Sequence, residues 1–437
     1  MCEAVLVDLI HGCSAGCTGA SLLEDPAAAE PQVFLLCGKR YRERDGFSDA
    51  FVSSCKSVHV LDSDSTAECL YRFKQTVDQL DLSSIRVLTT PRGRAVLQGY
   101  QELLFTAVYT FIYQVDHVTC PSCAGSAHTD SPGEGVHEEE VSKFLQQLPA
   151  QRGQVTVLKS TLIPDFLMEI GVTVCLSDCF GHGFSTRRGG VSYIPTLSSL
   201  NLFSSSRRRD PGAVVQENKR RLALHAGFNP QLLRQVKVNH ASDVFVLGKA
   251  EPESYDAMVT NQTGVVITAP GADCMPILFA DPVSKVIGAA HAGWRGTLMG
   301  VAMATVEAMV KEFGSRVGDI LVAVGPSVGV CCYTMERQQA LVFHRIHPDC
   351  VPDPESARPH VNIRLANRLL LERGGILPEH IHDDTVTERP CVTPCTSCHP
   401  EDFFSHVRDG LNFGTQVGFL WIKETEDETP PTAGQTG

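Results

Sequence analysis

The chain has 437 residues, 43% hydrophobic and 20% charged, the balance of a globular protein with apolar surface for two or three domains. Its formal net charge of −13, from 37 basic and 50 acidic side chains, argues against a nucleic-acid partner, because phosphate backbones are met by net basic faces. No apolar run reaches the roughly 18 residues of a membrane span, and the 17 cysteines fall in no regular framework, which predicts free thiols in a reducing cytoplasmic compartment. Organelle-associated or nuclear locations are the alternatives.

The N-terminal run carries Asp8 and no basic leader, so it reads as a buried strand rather than a signal peptide. Residues 31–40 and 56–62 follow as strands, 65–82 as a helix and 85–91 as a strand. Residues 94–113 read as one long amphipathic helix, 137–148 as another helix, and 154–160 as a closing strand. This alternation predicts a small α/β domain over residues 1–165 with a mixed or parallel sheet. Inside it, residues 120–135 are rich in Gly, Pro and Ser and read as an exposed loop. Cys120 and Cys123 form a CxxC there, without the second ligand pair that a zinc knuckle needs. The region shows no catalytic constellation and its role stays open, with a protein partner as one candidate.

A larger α/β domain, an α+β sandwich, is expected over residues 179–423, followed by a disordered acidic and Pro/Gly/Thr-rich tail, 424–437. It opens with FGHGFSTRRGGVS, whose glycines read as turn positions. Arg187 and Arg188, beside Ser185 and Thr186, would donate to an anion, or simply be solvated arginines on a β-turn. Residues 210–228 have helical spacing and carry Asn218, which reads as part of a polar helix face. The segments 265–274, 276–282 and 285–294 are nearly continuous apolar runs and read as buried strands. Residues 297–314 follow as one helix, and 319–328 as a strand ended by Gly325 and Pro326.

Three residues stand at the ends of these runs: His240 in VKVNHASDVFVLG, Cys274 in GADCMPILF and His291 in AAHAGWRG. One thiolate and two imidazoles on constrained backbone make a three-ligand metal site with an open fourth position, the mark of a catalytic zinc. Each residue alone reads more readily as a core group, and only the three together favour a site. Asp273 precedes the cysteine and Asp243 follows the first histidine, where either would orient an imidazole or shuttle a proton. Near the C-terminus, Cys395 and Cys398 form a second CxxC, followed by His399. With no further ligands in the local sequence, the segment reads as a turn that sets Cys395 near the pocket wall.

In order along the chain, HGFSTRRGGVS, SLNLF, NHASDV, GADCMPILFADP, AAHAGWRGT, GPSVGVCCY and CTSCHPEDFFSHVRDG resemble the laccase-domain family, also called YfiH-like or "polyphenol oxidase". The resemblance covers roughly residues 181–423, and the N-terminal region with TLIPDF at its junction resembles the vertebrate branch of that family. It implies that His240, Cys274 and His291 are zinc ligands and catalytic residues, with Asp273 beside them. It also implies purine nucleosides and phosphate as ligands: phosphorolysis of adenosine, inosine and methylthioadenosine, deamination of adenosine, and a role in purine metabolism of immune cells. Arg187, Asn218 and Arg295 are the expected substrate- and phosphate-binding residues, and a homodimer is the expected assembly.

The family name points to copper, and Cys274, Met275 and two histidines do resemble a blue-copper ligand set. Copper is nevertheless the less favoured metal, since His380 and His382 form the chain's single His-x-His pair where a trinuclear centre needs several. A copper-dependent phenol oxidase and a non-catalytic scaffold stand as the alternative functions.

Overall fold

The computed structural model describes residues 3–11, 32–37, 57–115, 136–164 and 179–424. The loop bearing Cys120 and Cys123, residues 165–178 and the tail beyond residue 424 lie outside the described residues. The chain forms two compact units, one of residues 1–149, 191–194 and 204–217, the other of 150–190, 195–203 and 218–437.

In the first unit, β1 (Ala4–Asp8), β2 (Gln32–Cys37), β3 (Val58–Asp62), β4 (Ser84–Thr89) and β5 (Thr110–Val115) form one sheet in the order β3-β2-β1-β4-β5. Every pair is parallel, so the chain winds outward from β1 in both directions, as in doubly wound α/β folds. Helix Thr66–Gln79 starts at a Ser65 N-cap, whose hydroxyl accepts from the Glu68 amide. Helix Pro91–Leu104 begins with proline behind a Thr90 cap. Phe73, Val77, Leu97 and Leu104 from these helices pack with Leu6, Phe34 and Ile85 of the sheet.

The long helix expected over 94–113 is two elements. It ends at Leu104, Phe105 turns extended, and Thr110–Val115 is the edge strand β5. The β-branched and aromatic run from Thr110 fits a pleated surface better than a helix, and six pairings to β4 reward it.

The second unit has two sheets, built from β6 (Val157–Leu158), β7 (Phe180–Ser185), β8 (Leu233–Gln235), β9 (Val244–Val246), β10 (Ala257–Thr260), β11 (Val266–Gly271), β12 (Met275–Asp281), β13 (Val286–Ala292), β14 (Leu321–Val324), β15 (Ile381–His382) and β16 (Gln416–Ile422). One sheet runs β15-β14-β12-β13-β10-β9 and the other β6-β7-β16-β11-β8. The closing strand expected over 154–160 is only the two-residue β6, paired with β7 of this unit and not with the N-terminal sheet. The glycines of FGHGFS are strand rather than turn residues: a Cβ on Gly181 would strike Trp421, and one on Gly183 would strike Val157.

Strand alternation explains the layers. Ile277 and Phe279 of β12 point to a core shared with Val301, Val306 and Met309 of the helix Val301–Phe313. Leu278 and Ala280 point instead between the sheets, against Phe184, Ile267 and Leu420. On the outer face of the second sheet, Leu222 and Ala223 cover Val266 and Phe419. The single helix expected over 297–314 is broken at Gly300, whose φ of 80° separates the short helix Trp294–Met299 from Val301–Phe313.

Candidate active site

Strands β12 and β13 are antiparallel neighbours with Pro276 opposite His291, so Cys274 and His291 meet at one end of the pair. Their chemistry converges: the Cys274 thiol stands close enough to the His291 imidazole to favour its proton. A Cβ on Gly293 would lie 2.9 Å from the Cys274 sulfur, so the glycine keeps the space beside the thiol clear. His240 joins from the loop before β9, its ring centroid 5.1 Å from that of His291.

The residue that assembles the site is Asp256, which sequence reasoning missed. It is fully buried at the start of β10, the strand that pairs with β13. One carboxylate oxygen meets His291 Nδ1 at 2.8 Å. The same carboxylate accepts from three successive amides, those of Asn239 at 3.1 Å, His240 at 3.2 Å and Ala241 at 2.9 Å. That nest holds His240 at φ 63°, a left-handed conformation a histidine adopts only when its surroundings impose it. Asp256 therefore folds one candidate ligand's loop and orients the other candidate's ring.

The electrostatics follow. Burial would raise Asp256, but His291 and the Ala241 and Asn239 amides overcome it and hold the carboxyl below its ordinary range. Burial also opposes a proton on His291, yet Cys274 and Asp256 outweigh it and lift the imidazole to about 9. His240 is accessible at the surface, but its packed surroundings, then His291 and Arg295, hold it below its usual value against the pull of Asp256. Arg295 is exposed beside Trp294, its guanidinium carbon 5.1 Å from the ring centroid.

Several expected roles change. Asp273 does not face the imidazoles: its carboxylate accepts from Thr396 Oγ1 and Ser405 Oγ, both at 2.7 Å, and from the Val407 amide at 2.6 Å. It anchors the 396–407 segment and holds Cys274 from behind, at a φ of 94°. Asp243 is exposed and meets Asn239 Nδ2 only at 3.5 Å. Arg187 is buried and donates to the carbonyls of Ser198, Pro400 and Pro195 at 2.6–2.8 Å, over the Phe404 ring. It braces loops rather than presenting a cation to phosphate, and burial pulls it down to about 10. Asn218 is fully buried with Nδ2 on the Asn201 carbonyl at 2.9 Å, not on an open face. Cys395 is buried against the Gly329 amide and does not line this cluster.

Nitrogen and sulfur donors at the end of a rigid strand pair, with one ring nitrogen already fixed by a buried carboxylate, define a metal-competent enzyme site. Donor atoms of His240, Asp256 and His291 lie within 4.8 Å of one another. With Asp256 on Nδ1, Nε2 is the His291 nitrogen left for a ligand, and Cys274 lies outside that mutual group.

The family model described as "Multi-copper polyphenol oxidoreductase laccase" matches residues 181–423, and the chain belongs to that family. It is 48% identical to the mouse "Purine nucleoside phosphorylase LACC1" over 89% of this chain and 90% of the mouse protein. It is 45% identical to the human protein of the same name, over 97% of this chain and the full human length. "Adenosine deaminase RL5", from an unknown prokaryotic organism, is 30% identical over 55% of this chain and 94% of its own. Among solved structures, YfiH of Bacillus licheniformis matches with a TM-score of 0.50 and 26% identity, covering 56% of this chain and 93% of that one.

The family description names several coppers, and the donor set does not fit them. Among the described residues two groups bring three or more metal donors together, and neither holds more than two histidines. His382 is buried with Nδ1 on Ser160 Oγ at 2.8 Å, and it belongs to neither group. No helix among the described residues is long and apolar enough to cross a membrane.

Proposed function

We propose that this protein is a purine nucleoside enzyme that cleaves adenosine, inosine and methylthioadenosine with phosphate and also deaminates adenosine to inosine. The observation that carries the reading is the His291–Asp256 clamp beside Cys274 and an accessible His240. Similarity to proteins named purine nucleoside phosphorylase and adenosine deaminase supports both reaction types. The ten cysteines among the described residues are free thiols, which supports a reducing, cytoplasmic setting.

In this reading His240, Cys274 and His291 hold a zinc ion, which supplies Lewis acidity toward a water or a purine substituent. The protein's own residues do the rest. Asp256 holds His291 Nδ1, so Nε2 is the nitrogen that would meet a metal, once the metal has displaced its proton. Arg295, exposed on the first turn after His291, is the cation suited to orient phosphate. Phosphorolysis then forms a bond from a phosphate oxygen to the ribose C1′, breaks the bond to the purine nitrogen, and returns a proton to the base. With its proton affinity held down, His240 is a neutral imidazole near pH 7, suited to metal ligation.

The test is purified protein incubated with inosine. Hypoxanthine release should require phosphate and yield ribose 1-phosphate, and zinc should be present near one ion per pocket. Equal release without phosphate rules out the phosphorylase. Copper-dependent oxygen consumption with a phenol would favour the oxidase instead.

A further inference from the structure

The fold brings together a second set of sulfurs, in which Cys398 lies 67 and 66 positions along the chain from Cys331 and Cys332. Cys331 and Cys332 sit in the turn after β14, and Cys395 and Cys398 in the loop before β16. The four sulfurs all lie within 4.8 Å of one another. The Cys398 sulfur is 3.6 Å from that of Cys331 and 3.4 Å from that of Cys332. A disulfide would demand about 2.05 Å. Four thiolates around one zinc, with Zn–S near 2.3 Å, would stand on tetrahedral edges of about 3.8 Å.

The surroundings are built for sulfur ligands. The Gly329 amide donates to the Cys395 sulfur at 3.3 Å, and the Cys398 amide donates to the same atom. Backbone N–H groups aimed at a sulfur favour its thiolate form, which is the metal-binding form. The two loops are joined just ahead of each pair, with Ser327 N on Pro394 O at 3.3 Å and Thr396 N on Ser327 O at 2.9 Å. Buried Arg364 ties them further, through Ser327 Oγ at 2.9 Å and the Pro394 carbonyl at 3.0 Å. His399 turns away, its Nδ1 donating to the Cys395 carbonyl at 2.9 Å, so the set is four sulfurs without an imidazole.

We propose that Cys331, Cys332, Cys395 and Cys398 bind a structural zinc ion that staples the 329–333 turn to the 395–398 loop. A closed set of four sulfurs leaves no position for substrate, so the ion acts on folding and not on chemistry. The staple reaches toward the pocket through Thr396, whose hydroxyl holds Asp273 next to Cys274. The C-terminal CxxC thus meets two further thiols from a distant turn.

The test counts metal in the full-length protein, purified without chelator and under reducing conditions. Wild type should carry about two zinc ions per chain, Cys274→Ala about one, and Cys274→Ala with Cys398→Ser none. If the pocket holds no metal, wild type and Cys274→Ala each carry about one, which leaves this proposal intact and removes only the pocket reading. A metal-free Cys274→Ala protein that is folded overturns it. Should the Cys398→Ser protein fail to fold, cobalt substitution of Cys274→Ala decides. The strong sulfur-to-cobalt charge-transfer absorption of a tetrathiolate site is expected, and its absence overturns the proposal. Rapid thiol trapping that finds Cys398 disulfide-bonded to Cys331 or Cys332 in freshly isolated protein also overturns it.

Discussion

Two buried clusters of ionisable groups, one in each unit, look alike in charge and differ in what they leave open. In the first unit, Asp78 takes Lys74 Nζ and Arg209 at 2.7 Å each, and the Tyr109 and Tyr193 hydroxyls as well. Lys74 is fully buried. Burial opposes the charge on Asp78, but Lys74 and the two tyrosines overcome it and hold the carboxyl below its ordinary range. Every donor has an acceptor, so the cluster is closed. In the second unit, Asp256 likewise carries a full set of hydrogen bonds, yet the loop it folds leaves the His240 imidazole exposed beside His291. A perturbed ionisable group therefore points to chemistry only when its neighbours retain a free atom for a ligand.

The largest effect should come from breaking the open cluster at its sulfur. Cys274→Ala is expected to remove the pocket metal and all measurable base release together, while hydrogen exchange over residues 66–79 stays unchanged. Activity without metal would sink the ligand assignment. Asp78→Ala should do the reverse: leaving Lys74 buried without its partner costs about 3–5 kcal/mol of local stability. Faster exchange in the 66–79 helix, with turnover per folded molecule unaltered, is the expected outcome.

Asp256→Asn comes next. It keeps the shape but loses the charge that fixes His291, and metal affinity should fall about 10–100-fold, measured by chelator competition. An unchanged affinity would mean that Asp256 only shapes the loop. The smallest effect is in pH. Because the folded state holds Asp78 below its ordinary value, its contribution is complete at neutral pH. It should fade as pH drops through the ordinary carboxylate range near about 4 and below. Acid should therefore speed exchange over 66–79 in wild type more than in Asp78→Asn, and equal sensitivity would remove Asp78 as the cause.

Much of the scaffold was legible in the sequence. The apolar runs that begin after Cys274 and end beyond His291 do form adjacent strands, because a short continuous β-rich run bounded by Gly and Asp has few other stable forms. The helix 94–113 was misread because Val108–Tyr113 fits an amphipathic helix as well as an edge strand, and only pairing with β4 separates them. Asp256 was hidden for a related reason. An aspartate before an apolar strand is common, and its importance appears only when β10 pairs with β13 and brings it to His291. Arg187 misled in the other direction: a Gly-flanked arginine reads as an anion donor until the carbonyls of Ser198, Pro195 and Pro400 are seen around it.

What the sequence determined by itself was the local: the strand runs, the α/β class and the kinds of donor atom at the run ends, since periodicity and residue type act over a few neighbours. What the tertiary structure decided was the pairing of distant groups. Asp273 turned from the imidazoles to the 396–407 segment, Asp256 took the orienting role, and Cys331 and Cys332 reached Cys395 and Cys398. A hydrogen bond or a metal–ligand set requires atoms within a few ångströms, and strand pairing and loop closure set such distances where sequence spacing cannot.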